Sequence, residues 1–137
     1  MSDFIYHKKY TKSERDEQFK LFNAKNVGSN HFPIILEASR ASTVNLDETL
    51  FSVSTKTTVK DLVSDFSPNG APFYLFYDNI LMPDDVNLYK FYLTYRSNDS
   101  FLYLKYSNSY TIGKKLSTLV QTKINFSEFK ENKIESN

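Results

Sequence analysis

The chain has no cysteine and no tryptophan, and only three glycines, four prolines and two histidines among 137 residues. Without a thiol it forms no disulfide, performs no thiol chemistry and offers no sulfur to a metal, a usage that fits a reducing compartment. His7 and His31 lack metal-ligand spacing and obvious carboxylate partners, so neither a metal site nor a cofactor is expected. Gly28 and Gly70 stand alone, which excludes a glycine-rich phosphate loop. Charge is balanced, with a formal net of +1. Binding phosphates requires a clustered basic surface, so no nucleic acid partner is expected. No stretch approaches the roughly 18 apolar residues of a membrane span, and Met1 to Tyr10 holds no apolar signal-peptide core. Any membrane role then requires an added lipid or a partner.

What is abundant is aromatic carbon: 12 Phe and 10 Tyr, with 40% hydrophobic residues overall, the make-up of a folded chain of one domain's length. Thr11-Lys-Ser-Glu14 has the capping-box spacing of a helix start, and Phe19 and Phe22 would share that helix's buried face. The turn residues of Asn26 to Asn30 break the helix. Strands are expected at Phe32–Ala38, with a proline near the entry where a missing amide is tolerated, and at Leu50–Ser54, the two forming a hairpin. Thr57 or Thr58 caps a short helix carrying Val59, Leu62, Val63 and Phe66 on one face, ended by Ser67-Pro-Asn-Gly70. The continuous apolar run Phe73–Tyr77 suits a sheet centre. Asp78-Asn79 turns the chain, Asp84-Asp85 reads as a helix cap, and Leu88, Tyr89, Tyr92, Leu93 and Tyr95 form the next apolar stripe. The last strand is Ser100–Tyr106. After the leading helix, the order strand-strand-helix-strand-helix-strand is that of an α+β, ubiquitin-like β-grasp with a four-stranded mixed sheet and an N-terminal helical extension. The expected division is 1–30 for that extension, 31–113 for the ubiquitin-like domain and 114–137 for a C-terminal tail.

Gly113 follows the last strand and precedes a tail of different character. From position alone it reads as a turn glycine leading into a final helix. A glycine on a free arm is also what a protease or activating enzyme can grip, because it lacks Cβ. In the tail, Leu116, Leu119, Val120 and Ile124 follow an amphipathic helical pattern. That pattern fits a docked terminal helix, a propeptide masking a surface, or a tail that is never cut.

Phe4-Ile-Tyr6 followed by Glu14-Arg15, Phe32-Pro-Ile-Ile-Leu-Glu37, Asn45-Leu-Asp47, Phe51-Ser-Val53, Asn79-Ile-Leu-Met-Pro83, Leu88-Tyr89, Asp99-Ser-Phe-Leu-Tyr103 and Tyr106-Ser107 stand in one order and spacing. Together they resemble the autophagy-related ubiquitin-like modifiers, the GABA-receptor-associated protein and light-chain-three family. The register runs without a gap from Ile80 to Gly113.

The resemblance implies a protein without catalysis of its own. A processing cysteine protease would expose Gly113, removing 114–137 as a propeptide. Activating and conjugating enzymes would then pass the Gly113 carboxyl, as a thioester, to the amine of phosphatidylethanolamine. The two acyl chains of that lipid give stable anchoring, so the implied locations are the cytoplasm and an autophagosome or vesicle membrane. The resemblance also implies capture of autophagy receptors carrying short aromatic-x-x-aliphatic motifs by strand addition. The matching positions are Pro33, Ile35, Leu50 and Phe101 for an aromatic pocket, and Phe51, Val53, Val59 and Leu62 for an aliphatic one. Ser52 lies between them. Ile35, Val53, Val59 and Leu62 also read as simple core. If Val53 and Leu102 face the core, alternation turns Ser52 and Phe101 outward, and an exposed strand phenylalanine asks for a partner.

The departures are Leu50 where the family has a lysine, Ser52 and Ser54 for an aliphatic residue and a proline, a shorter central helix, and Ile112 for an aromatic. The alternative reading is a non-conjugated adaptor that only binds peptides or trafficking partners.

Overall fold

The computed structural model describes residues 4–109 and 124–130. Two helices lead the chain, α1 (Ile5–Lys9) and α2 (Lys12–Lys25). Then come β1 (His31–Ala38), β2 (Leu50–Ser54), α3 (Val59–Phe66), β3 (Tyr74–Tyr77), β4 (Ile80–Leu81), α4 (Leu88–Tyr95) and β5 (Leu102–Ser107). A 3-10 turn, Phe126–Phe129, lies near the end.

Local chemistry sets the helix starts. Thr11 accepts from the Glu14 N–H while the Glu14 carboxylate accepts from the Thr11 N–H, so α2 opens on the expected box. Thr58 and Asp61 make the same reciprocal pair at α3. At α4 the expected acidic cap is corrected: Asn87 is the cap, its side-chain oxygen accepting from Lys90 N–H at 2.9 Å, and Asp84 and Asp85 are exposed ahead of it. The α4 stripe also differs. Leu88, Phe91 and Tyr92 are buried, whereas Leu93 is 48% exposed. Their i, i+3, i+4 spacing points them one way, and Leu93 falls outside that arc.

The sheet order is β2-β1-β5-β3-β4, with β1 and β5 parallel at the centre and the other pairs antiparallel. This is the β-grasp arrangement with five strands where four were expected. The extra strand is the two-residue β4, too short to show alternation in the sequence. Asp78 and Asn79, at φ 50° and 65°, make the left-handed two-residue turn that folds it back on β3.

Both faces of the sheet are covered. Phe32, Ile34, Leu36, Val53, Leu102, Leu104 and Tyr106 pack against α3 and α4 in the main core. Ile35 and Phe101 point the other way, under Tyr6 of α1 and Phe19 of α2. Burial on both faces explains why β1 reads as an unbroken apolar run. A buried ion pair ties the second layer down. Asp99 accepts from Arg15 Nε at 2.8 Å, from the Tyr103 hydroxyl and from the Phe101 N–H, while the Arg15 Nη1 donates to the Tyr10 carbonyl at 2.7 Å. Glu37 on β1 holds α1, accepting from the Ile5 and Tyr6 N–H groups at 2.8 Å each.

Candidate peptide-binding site

β2 is an edge strand, and its register shows which of its backbone groups are unused. Pro33 pairs with Ser52, and a proline has no N–H, so that pair is non-hydrogen-bonded. The neighbouring exchanges fall at Leu36 with Thr49, where the N–H to carbonyl distance is 2.8 Å, and at Thr55 with Asn30, at 3.0 Å. Alternation between these points directs the N–H and C=O of Leu50 and Ser52 away from β1, to the open side. A second extended chain laid there would find donors and acceptors in ladder order.

The same register sorts the expected site residues. Pro33, Ile35, Leu50, Ser52 and Phe101 lie on the sheet face covered by α1 and α2, and Phe51 and Val53 lie on the face of α3 with Val59 and Leu62. The structure therefore brings the two expected sets together, on opposite faces of one edge. Their exposure differs from the simple expectation. Ser52 is exposed, its hydroxyl donating to Asn26 Oδ1 at 3.2 Å. Phe101 is on the face that alternation assigns it but is 0% exposed, which corrects its reading as an exposed ring. Tyr6 and Phe19 stand edge-on to it at 5.7 and 5.8 Å and fill the space a partner's side chain would take. Pro33, Ile35, Val53, Val59 and Leu62 are likewise buried.

Besides Ser52, the apolar side chains that remain open along the edge are Leu50 on one face and Phe51, with Phe66 against it, on the other, all half-buried. Phe51 and Phe66 meet edge-on at 5.3 Å, bridging β2 and α3. Val63 and Phe66 belong to the α3 stripe visible in the sequence, but its periodicity does not say which members of the stripe sit at the rim.

Beside Leu50, a cleft of about 560 Å³ opens between α1, α2 and the start of β2, lined by Tyr6, Lys9, Tyr10, Gln18 and Glu37 among others. Leu50 alone of the expected aromatic set reaches it. Burial, with the nearby Tyr10 and Asp99 adding to it, pushes the Tyr6 hydroxyl up to about 12. Burial and the hydrogen bond to Asp99 raise Tyr103 further still. Both hydroxyls keep their protons at neutral pH and serve as donors, Tyr6 to Gln18 and Tyr103 to Asp99. Among the described residues, no cluster of His, Asp and Glu has the arrangement to hold a metal ion. Gly113, with Ile112, Lys114, Leu116, Leu119 and Val120, lies outside the described residues.

No family model matches the chain, and no curated protein matches it. Among solved structures the fold is similar to the crystal structure of Trypanosoma brucei ATG8, with a TM-score of 0.69 and 24% sequence identity. The likeness covers 77% of this chain and 95% of that one. At this identity the likeness concerns the fold: a ubiquitin-like β-grasp with its leading helices, in which almost the whole of the compared chain finds a counterpart.

Proposed function

We propose that this protein is an autophagy ubiquitin-like modifier, without enzymatic activity of its own, that is conjugated through Gly113 and recruits receptors along the β2 edge. The observation that carries the recruitment is that edge itself. Leu50 and Ser52 direct unpaired backbone groups outward, and Leu50 on one face and Phe51 with Phe66 on the other flank them. An aromatic-x-x-aliphatic segment added as a strand would pair with this backbone and divide its side chains between the two faces. The buried Pro33 and Ile35 would lie beneath Leu50 on the α2 side, and Val53, Val59 and Leu62 beneath Phe51 on the α3 side.

The conjugation reading is supported by the likeness to the ATG8 fold and by the sequence register that brings Gly113 shortly after β5. A cysteine protease would hydrolyse the Gly113–Lys114 bond. An activating enzyme would adenylate the new carboxylate and take it as a thioester. The conjugating enzyme would deliver it to the amine of phosphatidylethanolamine, forming an amide and releasing the thiol. No helix among the described residues is long and apolar enough to cross a membrane, so the two acyl chains of the lipid would supply the anchor. Residues 31–113 would then be the working modifier and 1–30 its helical extension.

Intact-mass analysis of the protein from its native cells tests this. A species ending at Gly113 and carrying a phospholipid mass is expected, and Gly113→Ala should abolish it. Finding only the 137-residue chain would overturn conjugation. One observation favours the second reading, an adaptor that stays whole: residues 124–130 are packed into the domain, with Phe129 only 5% exposed.

A further inference from the structure

Residues 124–130 rest on α4 and on the loop ahead of it, which is hydrogen-bonded to the chain between β2 and α3. Phe126-Ser-Glu-Phe129 forms a 3-10 turn, which brings residues three apart to one side. Both rings therefore face α4. Phe126 stacks on Phe91 at 5.8 Å, and Phe129 stands edge-on to Phe91 at 5.1 Å and to Tyr95 at 5.7 Å.

The backbone is read as well. Asn87 N–H donates to the Phe129 carbonyl at 2.6 Å, Val86 and Lys130 form an antiparallel bridge, and Lys90 Nζ donates to the Lys130 carbonyl at 3.0 Å. Lys130 Nζ pairs with Asp85 at 3.4 Å. Asn125 caps the turn through its own side chain, accepting from the Ser127 N–H, so the segment is ordered by its own residues. Two anchoring rings, three backbone contacts and one exposed ion pair, all within seven residues, are the make-up of a bound peptide.

We propose that α4 and the loop 85–87 form a second peptide-binding surface, separate from the β2 edge. It takes a partner segment with two phenylalanines three apart and a basic residue after the second, and the chain's own residues 124–130 occupy it in advance. The occupant commits the chemistry. Phe91, Val86 and Tyr95 make an apolar floor, Asn87 N–H and Lys90 Nζ read a carbonyl edge, and Asp85 selects a cation.

The occupant is joined covalently to β5 through residues 110–123, and a covalent join gives it an advantage over a free competitor. The intact chain therefore keeps the surface covered against a dilute competitor. A cut within 110–123 leaves the segment held by its contacts alone, so a partner can displace it. This surface is independent of lipid attachment, and the test does not use native processing.

In the full chain, the recognition sequence of a site-specific protease is inserted between Gly113 and Lys114. The probe is a fluorescein-labelled peptide of residues 124–130, followed by anisotropy before cutting and after cutting and dilution. The cut protein should bind the probe at least ~100-fold more tightly than the intact protein. A probe carrying Phe129→Ala should bind neither. Equal binding before and after cutting, no binding after cutting, or undiminished binding of the Phe129→Ala probe would each overturn the proposal. So would loss of the folded circular dichroism spectrum on cutting and dilution, since the segment would then be part of the fold and not a ligand. Dimers of the intact chain that exchange this segment also count against it. An aromatic-x-x-aliphatic peptide titrated into the same cut sample reports on the β2 edge separately, so failure at one surface is distinguishable from failure at the other.

Discussion

Asp99 and Arg15 are 84 positions apart and almost fully enclosed, at 1% and 6% exposure. A buried pair of this kind is costly to break from one side, because the remaining charge stays in a poorly solvating place without its partner. Asp99 also accepts from Tyr103 and Phe101, so its charge organises the start of β5, while the guanidinium of Arg15 holds the turn between α1 and α2. Arg15→Ala is expected to lower stability by about 3–5 kcal/mol, read as a fall in the urea midpoint. An unchanged midpoint would mean that the pair contributes nothing net. Nothing in the periodicity of the sequence announces this contact. Each residue is locally ordinary, and the chain must fold to bring them together.

At the scale of elements, local signals carried far. The boxes at Thr11 and Thr58 depend on spacings of three residues, so they are visible before any tertiary contact exists. The alternation in β2 and β5 correctly divides Val53 and Leu102 from Ser52 and Phe101, since opposite faces follow from strand geometry alone. Whether a face is open is another matter. Phe101 is enclosed because α1 and α2 lie over it, and those helices are held there by Glu37 and Asp99. Openness survives at the β2 edge, where Phe51 leans on Phe66. Phe51→Ala should weaken binding of an aromatic-x-x-aliphatic peptide by about tenfold, the loss of a modest anchor, in an isothermal titration. Equal affinity of mutant and wild type would remove Phe51 from the site.

At the scale of the whole molecule, the aromatic layers make stability sensitive to alkali. The Tyr6 hydroxyl is raised from 10.0 to about 12, chiefly by burial. Between those values the unfolded chain releases the proton and the folded chain keeps it. The stabilisation is complete below pH 10 and is lost as pH rises towards 12, a loss on the order of 2–3 kcal/mol for this one group. Tyr103, Tyr77 and Tyr92 shift in the same direction, again mainly through burial. Urea midpoints measured across this range should therefore fall together with the appearance of tyrosinate absorbance. A midpoint that holds steady through pH 12 would show that these hydroxyls are not enclosed in solution.

The sequence by itself determined the class of fold, the positions of the main strands and helices, and the sorting of side chains between the two sheet faces. These follow from spacing along the chain, which neighbouring residues settle among themselves. It also placed Gly113 after the last strand, the position on which the conjugation proposal rests. Tertiary structure alone decided which apolar side chains stay at a rim and which become core. It also decided that Arg15 finds Asp99, and that Phe129 returns to Phe91 and Asn87. Burial and long-range pairing depend on what another part of the chain brings to the same point in space, and no local pattern carries that information.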